Sequence, residues 1–448
     1  MNKDLFMDKL LQRAKERGLE TAEVFSMDSE RFNVLTMNGE VCQYQVSASG
    51  GLSLRGTVKG KMGYASTQAT DDAAIEQLIE GVLESAALTE SHEQDEIFAG
   101  EASYPDYKAP ESDLDQISAE DKVAAALKMN DVVLGADKRI TKADAPSVSS
   151  SKTTITLRNS FGLKLSYTDT MWSAYVSAIA PRENGTVANE GYFLCGRNFA
   201  EMKPEVIGTE AVRRTLQSLS ASPVASGTYR VIFSNEAMAS MLATFCGMFS
   251  AESAQQGLSL FAGKEGETVA APVVTLMDDP LLPSGFASCP FDAEGSASRT
   301  KAVLENGVLK TLLHNRKTAR KQGVETTGNA ARGGYSSPVS VAPTNMFFQP
   351  GDQTLDALMT EMGDGLVITG VGGLHAGANP ISGDFSLISS GYVVEGGKRG
   401  HDVDQITVAG NFYQLLKNIR AVGSDLYFPG DGIGSPSVDV GTLVISGK

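Results

Sequence analysis

"RFNVLTMNGEVCQYQVS" (residues 31–47) sets Asn38-Gly39 between two alternating runs. Asn-Gly accepts positive φ at both central positions, as a type I′ turn requires, and the twist of that turn matches the strands it joins. The stretch predicts an antiparallel hairpin. Strand signals surround it: "AEVFSM" (22–27) before, and "GGLSLRGTVKGKMGYAST" (50–67) with glycine-rich turns after. Helical patterns close the unit at both ends. Within residues 1–18, Phe6, Leu10, Leu11 and Ala14 recur at helical spacing and Gly18 offers a C-cap. "DDAAIEQLIEGVLESAAL" (71–88) opens on an acidic turn and puts Ile75, Leu78, Ile79 and Leu83 on one face. Residues 1–90 read as an N-terminal α/β domain.

Residues 91–115 are acidic and carry Pro105 and Pro110, which reads as a linker. A middle α/β domain is expected over 116–222. Its first helix starts at Ser118 in a capping box with Asp121 in the usual glutamate place. Strands are expected at "TTITLRNS" (153–160), "LKLSYTDT" (163–170) and "MWSAYVSAIA" (171–180), then a helix over about 204–219. "LSASPVASG" (219–227) marks a second boundary. Residues 228–448 carry most of the glycine and proline and read as a β-rich C-terminal domain. There "AVLENGVLKTLL" (302–313) is a second Asn-Gly hairpin, and "DQITVAGNFYQLLKNI" (404–419) reads as a strand, an Asn411 cap and a short helix. The fold class expected is α+β: a mixed α/β N-terminal portion, then a mostly antiparallel β-rich C-terminal domain.

The chain has 448 residues, 42% hydrophobic and 21% charged, with a net charge of −16. That composition is ordinary for a soluble globular protein and lacks the basic stripe of a nucleic-acid binder; the densest basic stretch, "HNRKTARKQG" (314–323), is short. No direct nucleic-acid contact is expected. Cys42, Cys195, Cys246 and Cys289 lie far apart with no CxxC pair, poor material for disulfides or a structural zinc site. The charged N-terminus is not a signal peptide and no run of 18 apolar residues occurs, so the expected location is cytoplasmic, away from any membrane. In that setting the "NGT" at Asn184 is not a glycosylation site.

Stand-alone catalytic motifs are missing. "GVGGLHAG" (370–377) breaks GxGxxG with His375 and reads as a turn cluster. The histidines are His92, His314, His375 and His401, none paired with another at helical spacing. "HDVD" offers His401, Asp402 and Asp404 as conceivable ligands, but reads more simply as a polar turn before a strand. "FDAEG" places Asp292 and Glu294 two apart, either as a carboxylate pair or as a turn, with the turn preferred. Cys246 stands among Leu242, Phe245 and Phe249 and reads as a structural thiol. "FSNEAMASML" (233–242) follows an apolar strand and opens a helix with Ser234-Asn235 as its cap. A lone glutamate in a first turn is what the helix dipole favours, so by its residues alone Glu236 needs no metal.

Several segments together resemble the TldD/PmbA family, also called modulators of DNA gyrase, of cytosolic metallopeptidases: "DDPLLPSGFASCPFDAEGSASRTKAVLENGVLKTLLHNRKTARKQGVETTGNAARG" (278–333), "NPISGDFSLISSGYVVEGGK" (379–398), "ITVAGNFYQLLKNIRAVGSDL" (406–426) and, near the start, residues 38–67. The resemblance covers nearly the whole chain and is weakest over 90–150. It implies two branches. TldD-type chains hold zinc through a helix reading histidine, glutamate, three residues, histidine, together with a cysteine near the C-terminus. TldE/PmbA-type chains lack that set and pair with a TldD-type subunit. The zinc helix falls on "NEAMAS": Asn235 and Ser240 stand where the histidines belong and Glu236 where the glutamate does. "LYFPGDGIGSP" (426–436), where the cysteine should fall, has none.

The resemblance therefore implies a TldE/PmbA-like subunit with relict zinc-helix positions Asn235, Glu236 and Ser240. It implies no metal, no confident catalytic residue and no cofactor in this chain, with zinc in a TldD-type partner. Peptides or unfolded protein would be the substrate, met in a cavity between subunits, and an exposed sheet edge of the C-terminal unit could bind them through backbone hydrogen bonds. Two alternatives stand beside it. One is an independent metallopeptidase with atypical ligands such as His375 or His401. The other is a homodimeric peptide-binding or scaffolding protein.

Overall fold

A computed structural model of the chain describes residues 2–89, 96–183 and 185–448. His92, Asn184 and the first residues of the expected linker lie outside these. The architecture is α+β, with mostly antiparallel sheets.

The N-terminal half is organised by one six-stranded sheet. The hairpin is there: β1 (Thr21–Met37) and β2 (Glu40–Val58) pair Met37 with Glu40, and both turn residues have positive φ, 52° at Asn38 and 78° at Gly39. β3 (Lys61–Thr67) flanks β2, while β4 (Lys142–Asn159), β5 (Lys164–Pro181) and β6 (Val187–Gly196) continue from β1, giving the order β3-β2-β1-β4-β5-β6. The segments expected as separate domains thus share a sheet, each with its own pair of helices. α1 (Lys3–Glu16) and α2 (Asp72–Leu88) pack on Val24, Leu52 and Leu54. α3 (Ala119–Ala136), with its Ser118–Asp121 capping box formed, and α4 (Pro204–Ser220) pack on Phe32, Val34, Val148 and Trp172. Even-numbered residues of β1 serve both clusters, so all four helices lie on one face. The odd-numbered face carries Glu23 and Phe25 toward the C-terminal domain, where Phe25 packs with Phe291.

Three strand expectations are corrected. β4 begins at Lys142, β5 runs unbroken through the two strands expected at 163–180, and β6 was not foreseen. The expected linker has no regular structure over residues 97–113, yet it is fastened. Ile97 and Leu114 are buried, Tyr104 Oη donates to the Gly295 carbonyl at 2.7 Å, and Tyr107 Oη donates to the Ser288 carbonyl at 3.1 Å.

In the C-terminal domain, β7 (Gly227–Phe233) runs parallel to Gly365–Gly372 and antiparallel to Val438–Ser446. Asp384–Glu395 and Lys398–Asn411 extend the sheet, and Thr407–Ala409 pairs with Val444–Ser446, closing it on itself. Closure leaves this sheet little free edge, and the domain's second sheet, an open one, has only strands of two to five residues, from Val308–Leu309 at one edge to Ile433–Gly434 at the other. The long unpaired edge belongs to the N-terminal sheet: β3 covers β2 only over Leu52–Val58, leaving Glu40–Gly51 with β1 alone. Met37, Val41, Tyr44 and Val46 are exposed along that stretch.

Candidate functional site

β7 ends at Phe233 inside the ring, and the Ser234 N–H donates to the Ile368 carbonyl at 2.9 Å, fixing where the next element starts. Ser234 then caps α5 (Asn235–Phe245), its hydroxyl accepting from the Ala237 N–H. Ala237, Met238, Met241, Leu242 and Phe245 are buried, and Phe245 stacks on Phe412 with centroids 4.6 Å apart. That stack adds about 0.5–1.5 kcal/mol beyond area burial. A rigid helix start therefore presents residues 234–236 to a cleft of about 260 Å³ between α4 and the ring.

The three positions that the resemblance aligns with the zinc helix do not converge. Asn235 turns to the C-terminal loop: its Nδ2 donates to the Asp425 carbonyl at 3.0 Å, its N–H donates to Ser437 Oγ at 3.2 Å, and its Oδ1 accepts from the Glu236 N–H at 2.8 Å. Ser240 is half-buried and donates back to the Glu236 carbonyl at 3.0 Å, the usual resting bond of a helical serine. Five residues apart on a regular helix, positions 235 and 240 point about 140° away from each other. Glu236 faces α4. Arg214 donates to both its oxygens, Nη1 to Oε2 at 2.9 Å and Nη2 to Oε1 at 2.6 Å. As placed, these residues do not fit a zinc ion: the amide and hydroxyl are poor ligands already engaged, and the carboxylate has its cation.

The cleft carries charges of both signs among small and polar residues. Glu190, Arg213, Arg399, Asp402 and Asp404 line it with Glu236 and Arg214. Burial works against the Arg214 charge, but the Glu236 and Glu210 carboxylates outweigh it and hold the guanidinium above its ordinary value. Burial, then the charge of Asp404, raises the Glu190 carboxyl. "HDVD" lies within the strand Lys398–Asn411 rather than in the turn expected. Its residues part ways: His401 is exposed, whereas Asp402 pairs with Arg399 at 2.6 Å and Asp404 with Arg182 at 3.1 Å. His375 is exposed on the short helix Leu374–Gly377. His314 is buried with Nδ1 3.2 Å from Thr318 Oγ1, and burial lowers its pKa. Among the described residues no three His, Cys, Asp or Glu side chains gather closely enough to hold a metal ion.

The loop 426–436 does fold beside α5, where Tyr427 is raised by burial and by the charges of Tyr192 and Glu236. Two thiols, Cys195 and Cys246, lie within reach of the charge on Asp431 in this loop, but burial pushes both up to about 11, away from the thiolate a metal needs. Cys246 donates to the Ala243 carbonyl at 3.2 Å, in keeping with a structural role. "FDAEG" forms the preferred turn: the Asp292 N–H donates to the Ser296 carbonyl and the Gly295 N–H to that of Asp292. The sequence reading missed Glu190, Arg213 and Arg214; the only local trace was the Glu210–Arg214 spacing on α4, which forms a 2.8 Å ion pair.

Comparison with known proteins places the same three segments in one group. Family models described as PmbA/TldA metallopeptidase domain 1, central domain and C-terminal domain match residues 22–86, 112–219 and 226–447. Metalloprotease PmbA of Escherichia coli O157:H7 is 29% identical over 431 residues, 93% of this chain and 92% of that one. A Thermotoga maritima protein described as a modulator of a DNA gyrase is 32% identical, with 99% of this chain and 100% of that chain covered and a TM-score of 0.92. TldE of Thermococcus kodakarensis, 22% identical, shares the fold at a TM-score of 0.88 over 99% of this chain and 100% of its own.

Proposed function

The chain belongs to the PmbA/TldD metallopeptidase family, and we propose that within it this chain is the TldE/PmbA-like subunit of a cytosolic two-chain peptidase that degrades unfolded or flexible peptides. In this reading the zinc belongs to a TldD-type partner and this chain completes the enclosing chamber. One observation carries it. The residues at the zinc-helix positions are spent on other bonds: Asn235 on the 425–437 loop, Ser240 on its own helix and Glu236 on Arg214. A carboxylate that accepts from a guanidinium on both oxygens keeps lone pairs but is a weaker base, so Glu236 is ill suited to take a proton from a metal-bound water. What remains useful to a peptidase is the scaffold, including the unpaired Glu40–Gly51 edge, onto which an extended chain can add by backbone hydrogen bonds.

The test is reconstitution. Purified alone and treated with chelator, the chain should retain no stoichiometric zinc after reloading and should leave a flexible test peptide intact. Mixed with a TldD-type subunit it should form a complex of defined stoichiometry, with cleavage that neither chain shows separately. Chelator-sensitive cleavage by this chain alone would end the proposal.

A further inference from the structure

Of the residues the zinc helix once required, this chain keeps only Glu236, and the structure gives it a specific employer. A glutamate retained merely to suit the helix dipole would stand in solvent. Glu236 instead meets the flat fork of Arg214 with two bonds, at 2.9 and 2.6 Å. Arg214 is itself held in place: its Nε donates to Glu210 at 2.8 Å and its guanidinium lies 4.7 Å from the Tyr192 ring centroid. The pair also spans two bodies. Arg214 is on α4, which packs against β5 and β6 of the first sheet, and Glu236 opens α5 of the C-terminal ring. A second tie crosses the same seam where Arg182 and Ser218 reach Asp404, at 3.1 and 3.4 Å.

We propose that the Arg214–Glu236 pair is a clamp that fixes α4 against the C-terminal ring across the cleft. The inference rests on the reading of this chain as the metal-free subunit and adds a positioning role for the glutamate left behind. Both side chains are about one-third exposed or less, 27% for Arg214 and 33% for Glu236, so the pair is shielded better than a surface bridge. The two-point fit needs guanidinium: lysine would keep the charge and lose the fork.

Hydrogen exchange on the full chain tests the clamp. Arg214→Met keeps the aliphatic packing on Tyr192, and Glu236→Gln keeps the shape without the charge. Each should speed exchange in the last turns of α4 and in residues 219–227 by about tenfold, the scale of a partly buried charge pair. Arg214→Lys should fall in between. Arg139→Met, which breaks an exposed pair with Asp137 away from the cleft and whose side chain is 54% exposed, should match the wild type. The double variant Arg214→Met/Glu236→Gln should exchange no faster than Arg214→Met alone, because that variant has already removed the bond to Glu236. Wild-type exchange in both single variants, or effects that simply add in the double one, would overturn the proposal. If Arg214→Met fails to fold, as judged by circular dichroism, Glu236→Gln and Arg214→Lys carry the test. A chain that failed to reconstitute a peptidase could still show the clamp, so the two readings fail separately.

Discussion

Glu23 is fully buried, and it survives there because two arginines meet it. Arg55 donates to both its oxygens at 2.7 and 3.0 Å, and Arg332 donates to Oε1 at 2.9 Å. Arg55 reaches on to Glu294 at 3.4 Å, and Arg332 to Ser53 Oγ at 3.1 Å while lying 4.6 Å from the Phe25 ring centroid. Two carboxylates thus balance two guanidiniums where the first sheet meets the C-terminal domain. Burial opposes the Arg55 charge, yet Glu23 and Glu294 outweigh it and hold that guanidinium above its usual range. Burial and the neighbouring Arg55 pull Arg332 down. Removing Glu23 leaves one carboxylate for two buried cations, so Glu23→Gln should cost about 3–5 kcal/mol in urea unfolding. Asp72→Asn, which breaks the exposed Lys9–Asp72 pair, should stay within about 1 kcal/mol of wild type. Equal losses in the two variants would contradict the buried-quartet reading.

Among the elements, two Asn-Gly turns with the same local chemistry sit in different surroundings. Gly39 has φ 78°, and an added Cβ would find its nearest neighbour, Asn130 Nδ2, at 3.7 Å. Gly307 has φ 81°, and an added Cβ would sit 2.4 Å from the Ala270 carbonyl oxygen and 2.8 Å from that of Ala271. Gly39→Ala pays only for the left-handed backbone, about 1 kcal/mol, whereas Gly307→Ala must also push backbone apart. Thermal melts should therefore show a clearly larger loss for Gly307→Ala, and equal shifts would mean the 270–271 segment yields freely. Both turns were legible in the sequence because their cause is local, as were the Ser118 capping box and the Asn411 cap, whose Oδ1 accepts the Gln414 N–H. The start of β4 was not legible. "SVSSSKTT" (147–154) has no apolar alternation, and it becomes strand because β1 and β5 pair with it on either side. The clamp was hidden for the same reason. Arg214 and Glu236 lie on separate helices, across a boundary the sequence marks only as a break, and no local pattern couples them.

At the scale of the molecule, the C-terminal domain is plugged into the first sheet by the turn Phe291–Gly295. Phe291 packs on Phe25 and Leu157, with Tyr167 edge-on at 5.2 Å, and Asp292 is buried behind it. The Asp292 carboxylate accepts three backbone N–H bonds, from Glu294, Ser296 and Ala330, which favour its charge. Burial and then the charge of Glu294 oppose them and raise its pKa from 3.8 to about 7. The sign follows from proton binding. Between about pH 4 and about 7 the folded chain holds this proton while the unfolded chain has released it, so rising pH favours unfolding across that window. The contribution is complete below about pH 4 and gone above about 7. Calorimetry from pH 5.5 to 8 should accordingly show a falling melting temperature with a component that Asp292→Asn removes. The amide of that variant sets a donor against the Ala330 N–H and lowers stability at every pH, so the slope, not the absolute melting temperature, is the readout. If the variant and the wild type lose stability in parallel as pH rises, the titrating group lies elsewhere, and the seam between the two halves is indifferent to this carboxyl.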